Sequence, residues 1–165
     1  MSRVFVIADL HLGHRKLQEI RGVSDDEIVR RWNSVVTKRD VVYVLGDVFR
    51  LDRLPELLGL KKLALGNHDK YPAVNYLKHF TQVRAMYEYD GCILTHIPVH
   101  LNQKRRYRLN VHGHSHTAKV MQPIAYPNKE PFGEVEWDQI VDPWYRCVSV
   151  EQINYTPVLL NEIIR

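Results

Sequence analysis

The stretch "VFVIADLH" (residues 4–11) runs five apolar residues straight into an acid and a histidine. A continuous apolar run of this length, rich in β-branched residues, reads as a strand buried on both faces. Asp9 and His11 then fall at the strand's carboxyl end. The same construction recurs down the chain. "VVYVL" (41–45) ends in Gly46-Asp47, and "LAL" (63–65) ends in Gly66-Asn67-His68-Asp69. "CILT" (92–95) ends in His96, and "LNV" (109–111) ends in His112-Gly113-His114-Ser115-His116. A further run, "CVSV" (147–150), reads as another strand.

The segments between these runs set the fold class. In "SDDEIVRRWNSVVTKRD" (24–40), Ser24 and Glu27 have capping-box spacing, and Asp25 and Asp26 favour the positive end of the helix dipole. Ile28, Val29, Trp32, Val35 and Val36 then recur at helical spacing, so this segment reads as an amphipathic helix whose stripe is core. Residues 51–58 read as a shorter helix, although Pro55 is awkward inside it, and 72–80 as another with proline at its start. Strand, helix, strand, helix, strand is the pattern of a sheet covered by helices. The second half changes character. "QVRAMYEYDGCILTH" (82–96) reads as a hairpin turning at Asp90-Gly91, and residues 122–142, broken by prolines and a glycine, read as a long irregular connection. The expectation is one α/β domain over 1–165, β-rich at its C-terminal end.

Bulk composition excludes several classes. The 165 residues, 45% hydrophobic and 25% charged, suit a globular domain with its own core. A net charge of +4 is compatible with a phosphate-bearing partner without requiring one. No apolar run approaches the roughly 20 residues of a membrane span, and Asp9 interrupts the opening too early for a signal peptide. The two cysteines, Cys92 and Cys147, form no disulfide framework, so reduced thiols in a cytoplasmic protein are expected.

Five polar clusters at five strand ends converge on one site, because ligands of open α/β sheets bind at the carboxyl ends of the strands. The clusters hold two carboxylates, an amide oxygen and several imidazoles. This mixed oxygen and nitrogen set suits Mn, Fe, Co, Ni or Zn rather than the thiolate cage of a structural zinc site. Seven donors exceed one tetrahedral ion and suffice for two if a carboxylate bridges. Two divalent ions bring four positive charges and Asp9 and Asp47 return two, leaving a net +2 for a hydroxide and a substrate anion.

"DLH", "GD", "GNHD", "TH" and "HGHSH", in that order over residues 9–116, resemble the signature of the calcineurin-like metallophosphoesterase superfamily. The chain's size and its ending "VSVEQINYTPVLLNEI" resemble the small single-domain members of bacteria and phages. The resemblance implies β-sandwich-like central sheets of mixed strands flanked by helices, with a dinuclear site at the strand ends. It implies Asp9, His11 and His116 on one metal, Asn67, His96 and His114 on the other, and Asp47 bridging. Two divalent transition-metal ions are expected, manganese first, with Fe, Ni, Co or Zn as alternatives. A bridging hydroxide would attack phosphorus, His68 would assist the leaving group, and Asp69 would fix the His68 tautomer. The expected substrate is a phosphodiester of nucleotide or nucleic-acid type, with a phosphomonoester as the alternative. One departure stands out: "GDVFRLD" places Arg50 and Asp52 outside the register of the protein-phosphatase pattern "GDxxDRG".

Other residues carry weaker readings. His14, Arg15 and Arg21 divide evenly between substrate contacts and a solvated loop with a helix cap. His112 reads as a brace for its loop, with Gly113 supplying the sharp turn that lets His114 and His116 face different ions. His79 and His100 read as surface residues. "KRRYR" (104–108) reads as a solvated hairpin face, though such a run can recruit phosphates. Trp137 and Trp144 fit packing or a dimer contact, and the oligomeric state, monomer or small homo-oligomer, stays open. A non-catalytic scaffold that binds a protein partner is the main competing class. It is opposed by the complete donor set and His68. A nucleic-acid module with one structural zinc ranks last, because cysteine pairs are lacking.

Overall fold

The structure, a computed structural model, describes residues 2–124 and 138–165. In chain order the elements are β1 (Val4–Ile7), α1 (Arg15–Arg21), α2 (Asp25–Val35), β2 (Val41–Val44), β3 (Leu60–Ala64), α3 (Ala73–Tyr76) and β4 (Gln82–Arg84). The second half holds β5 (Met86–Tyr89), β6 (Cys92–Thr95), β7 (Leu109–His112), β8 (Met121–Ile124), β9 (Asp138–Val141), β10 (Tyr145–Cys147), β11 (Val158–Leu159) and α4 (Leu160–Ile163). Five strands form one sheet in the order β11-β1-β2-β3-β4, and four form a second in the order β10-β7-β6-β5. β1 to β4 are mutually parallel, as are β6, β7 and β10, while β11 and β5 run antiparallel to their neighbours. The expected mixed α/β architecture with sheets flanked by helices is present.

Strand periodicity explains the layering. Phe5 and Ile7 pack with Val42, Val44 and Leu63 against Ile28 and Trp32 of α2. The alternate residues Val6, Ala8, Tyr43 and Leu45 face the other way and join Leu94 and Val111 of the second sheet. The central strands β1 and β2 are therefore buried on both faces, as their unbroken apolar runs require. α2 begins where the capping pattern places it, with the Ser24 hydroxyl accepting the Glu27 N–H at 3.3 Å.

Register brings the polar clusters to one edge. Ile7 stands opposite Val44, and Val44 opposite Leu63, so β1, β2 and β3 end level. Thr95 stands opposite His112, which levels β6 with β7. The two sheets are joined beside Asp9: the Ala8 N–H donates to the Val148 carbonyl at 2.9 Å, and Val150 N–H returns a bond to the Ala8 carbonyl at 3.1 Å.

Several local expectations are corrected. Residues 51–58 form only a 3₁₀ turn at Leu54–Glu56, since Pro55 supplies no N–H for a longer helix. Residues 72–80 yield the four-residue α3 after Pro72 rather than a full helix. α1 was not expected. The last strand run begins earlier than 147–150, at Tyr145, and Ser149 contributes only an isolated bridge to Ala8. The ends of 122–142 pair as an antiparallel ribbon, Gln122 opposite Ile140, and 125–137 lie outside the described residues. The basic run ends a 3₁₀ helix, Leu101–Arg105, rather than lying on a hairpin face. Lys104 pairs with Asp142 at 2.8 Å, Arg106 with Glu88 at 3.2 Å, and Arg108 with Asp90 at 2.6 Å, which tempers any pull on phosphates. Trp144 packs in a small cluster with Ile93, Tyr107 and Tyr145, and its indole N–H reaches the Tyr107 carbonyl at 3.1 Å. Trp137 lies outside the described residues. The hairpin turn at Asp90-Gly91 is as expected, with φ of 47° and 70°.

The entry to β2 is anchored by Asp40. Its buried carboxylate accepts from the Arg3 backbone N–H at 2.9 Å, the Arg3 guanidinium at 2.8 Å, and the Thr37 N–H and hydroxyl at 2.8 Å each. The Arg3 hydrogen bond, outweighing burial, holds this carboxyl well below the usual carboxylate range. A depressed folded pKa means the stabilisation is complete above the unfolded value near 4 and is lost as pH falls below it. Asp40→Ala is expected to cost about 1–3 kcal/mol in urea unfolding at pH 7. The gap to wild type should narrow below about pH 4.

Candidate metal centre

The loops leaving β1, β2, β3, β6 and β7 meet above the level strand ends. Nine non-glycine residues among those described have positive φ, and five of them are predicted donors: Asp9 (60°), His11 (47°), Asp47 (56°), His114 (65°) and His116 (50°). Each left-handed residue of this kind costs about 1–2 kcal/mol, so the strain must be held by surrounding contacts.

Those contacts are specific. Asp9 Oδ2 accepts the His114 backbone N–H at 2.8 Å and the Ser149 hydroxyl at 2.7 Å. Asp9 Oδ1 is buried without a protein partner, as are both ring nitrogens of His11. Burying such atoms unpaired is costly unless a ligand completes them. Burial pushes the His11 imidazole down to about 3, leaving it neutral with a free lone pair, and burial also raises Asp9. One donor atom each from Asp9, His11 and His116 lies within 4.8 Å of the others, and the same holds for Asp9, Asp47 and His96.

Asp47 occupies the middle. Its Oδ1 accepts the His68 backbone N–H at 2.8 Å, which turns Oδ2 toward the histidines. Oδ2 lies 3.5 Å from His11 Nε2 and 3.5 Å from His96 Nε2, a separation that leaves room for an ion on either side. His96 Nδ1 stands 2.9 Å from the Leu45 carbonyl, which can only accept; the N–H is therefore on Nδ1 and the Nε2 lone pair is free. That lone pair points at Asn67 Oδ1, 2.8 Å away, and His114 Nδ1 lies 3.0 Å from the same oxygen. Acceptors crowded in this way are reconciled by a shared cation. The donor set thus fits divalent metal ions, and the structure brings all seven predicted donors together.

The remaining predicted residues are placed differently. His68 is exposed on the rim, its ring 5.2 Å from that of His11. Asp69 does not orient His68. Its carboxylate accepts the backbone N–H groups of Asp47 and Val48, both at 2.9 Å, and of Gly66 at 2.8 Å, tying two loops together beneath the site. His112 is buried behind its loop, with Nδ1 2.8 Å from the Gly113 carbonyl, as a brace requires. His14 caps α1, accepting the Leu17 N–H at 3.3 Å, and Arg15 is exposed beside it. Arg21 is inside rather than facing solvent: it donates to the Asp9 carbonyl at 3.0 Å, the Leu10 carbonyl at 3.3 Å and Glu151 at 2.8 Å.

Gly113 has a role other than the expected one. Its φ is not positive, and the turn is made by His114 and His116 instead. A Cβ on Gly113 would lie 2.7 Å from Asp9 Oδ2 and 2.5 Å from the Ala8 Cβ, so glycine is needed for close approach. Gly66 is equally constrained, since its Cβ would fall 2.3 Å from Asp47 Oδ1.

Two residues escaped the sequence reading. Glu151 Oε1 lies 2.9 Å from His116 Nδ1, and a carboxylate there directs Nε2 toward the cluster. Burial would raise Glu151, but its bonds to His116 and Arg21 prevail and bring it to about 2. Ser149 fixes Asp9. Both lie in the tail whose overall likeness was visible, yet no local motif marks them.

Residues 2–158 match the family described as calcineurin-like phosphoesterase. The Gene 66 protein of Mycobacterium phage L5 is 28% identical, with 93% of each chain covered. An uncharacterised protein of Methanocaldococcus jannaschii, MJ1445, is 29% identical over all of this chain and 91% of its own. The crystal structure of a protein of unknown function from Aquifex aeolicus, AQ665, superposes with a TM-score of 0.68 at 20% identity, covering 99% of this chain and 98% of that one.

Proposed function

The chain belongs to the calcineurin-like phosphoesterase family, a family of metal-dependent hydrolases of phosphoesters, and from that premise we propose that it cleaves phosphodiesters of nucleotide or nucleic-acid type at a dinuclear centre. In this reading the chain acts as one domain over 1–165. Asp9, His11 and His116 would hold one ion, Asn67, His96 and His114 would hold the other, and Asp47 would lie between them. The observation that carries the proposal is the position of Asp47 Oδ2, 3.5 Å from a ring nitrogen on each side. When bound, a pair of divalent ions supplies an activated water for attack on phosphorus and neutralises the charge that builds on the phosphate. The mixed carboxylate, amide and imidazole donors suit Mn, Fe, Ni, Co or Zn, and manganese is proposed first on the family resemblance.

The chain's own groups do the rest. Asp69 holds the Asp47 and Gly66 backbones so that two donor loops keep their spacing. Glu151 and Arg21 set the His116 tautomer and the Asp9 turn. His68, exposed on the rim, gives a proton to the departing ester oxygen. Arg15 is the remaining candidate for a contact to the phosphate. Asn67, His68 and His114 are all exposed, which leaves the centre open to a substrate substituted on both sides of phosphorus. Two free cysteines suit a reducing, cytoplasmic setting, and no helix among the described residues is long and apolar enough to cross a membrane.

The test is the ratio of kcat/KM for bis-p-nitrophenyl phosphate to that for p-nitrophenyl phosphate, measured on chelator-stripped protein resupplied with Mn²⁺. A ratio above one is expected. Faster turnover of the monoester would replace the phosphodiester reading with the phosphomonoester one.

A further inference from the structure

Two cavities are lined by different members of the donor cluster. One, of about 380 Å³, is lined by His116 and Glu151 together with Leu17, Ile20 and Tyr155. The other, of about 430 Å³, reaches Asn67 and His96 and is walled by Leu65, Met86, Ile97 and Val99. Both volumes fall in the range of small-molecule sites. Their walls expose apolar side chains that single surface residues would not concentrate: Ile20 is 72% exposed, Ile97 53%, Met86 39% and Leu65 37%. Tyr155 is held in a left-handed backbone (φ 55°), a conformation that bulky residues rarely adopt. The two cavities differ in chemistry. The first couples an aromatic ring to the Glu151 carboxylate and the Arg21 guanidinium, whereas the second is lined by no aspartate, glutamate, lysine or arginine.

We propose that these cavities are the two substituent subsites of a phosphodiester, an assignment that rests on the phosphodiester reading above. A phosphorus centre anchored beside Asp47 carries two ester oxygens that diverge at a near-tetrahedral angle. Each organic group must then leave the centre in its own direction, and the two cavities offer an apolar lining to one group each. The Tyr155 cavity takes a planar aromatic group with a polar edge, as a nucleobase has. The Met86–Ile97 cavity takes the less polar substituent. A monoester fills only one of the two.

Three substrates with the same p-nitrophenyl leaving group test this on the Mn²⁺-loaded protein: bis-p-nitrophenyl phosphate, methyl p-nitrophenyl phosphate and p-nitrophenyl phosphate. Wild type is expected to prefer the bis-aryl ester to the methyl ester by about tenfold or more in kcat/KM, mainly through KM. Ile20→Ser and Ile97→Ser, both at exposed positions, should each lower kcat/KM for the bis-aryl ester several-fold. The bis-aryl to methyl preference should collapse toward one in the variant on the non-leaving side and persist in the other. Equal kcat/KM for the two diesters in wild type, or variants that change neither diester, would overturn the subsites and leave a phosphodiesterase standing. A monoester turned over faster than both diesters would overturn the reading beneath them as well.

Discussion

Asp47→Asn is expected to lower kcat/KM on a phosphodiester by about a thousandfold or more, close to 4 kcal/mol of transition-state stabilisation. Asparagine keeps an oxygen to accept the His68 N–H but removes the charge that two ions would share in the proposed centre. Aspartate also stands beside a second buried carboxylate, Asp9, with both at most 1% exposed. Neutralising one of them should leave the melting temperature of the metal-free protein unchanged or raise it. A functional group that strains its own fold has this signature, and a structural one does not. Activity within tenfold of wild type would remove Asp47 from the centre.

His68→Ala should lower kcat by about 10²–10⁴-fold on diesters with alkoxide leaving groups. The effect should be far smaller on p-nitrophenyl esters, whose leaving group departs as a stable phenolate and needs little proton assistance. The ring is exposed and the backbone N–H, not the side chain, makes the bond to Asp47, so unfolding temperature should stay near wild type. Equal losses on both classes of leaving group would convert His68 from an acid into a phosphate-positioning residue.

Much of this centre could be read from sequence because strand and motif coincide. β1, β2, β6 and β7 announce themselves as short apolar runs, β3 only through its apolar end after Lys61 and Lys62, and each run ends in donor types that few structural roles require. Level register then gathers the donors without help from long loops. What could not be read depends on contacts between distant residues. Glu151 meets Arg21 across 130 positions, and Ser149 meets Asp9 across 140. Neither pair leaves a local periodicity. Asp69 was misread for a related reason: adjacency to His68 suggested a side-chain partner, whereas its carboxylate folds back onto three backbone N–H groups. α1 was overlooked because none of its residues is buried, so it lacks the apolar stripe that reveals α2. The helix expected at 51–58 gave way where Pro55 removed an N–H donor, whereas 72–80 kept only the four residues of α3 after Pro72.

The central claim is a pair of ions shared by Asp47, and a Mn²⁺ titration of chelator-stripped protein tests it most directly. Metal content per chain would be measured after removal of free ion, alongside turnover of bis-p-nitrophenyl phosphate. Two ions per chain are expected, with activity following occupancy of the weaker site and lost on renewed chelation. Full activity with one ion per chain, or hydrolysis indifferent to chelator, would contradict it.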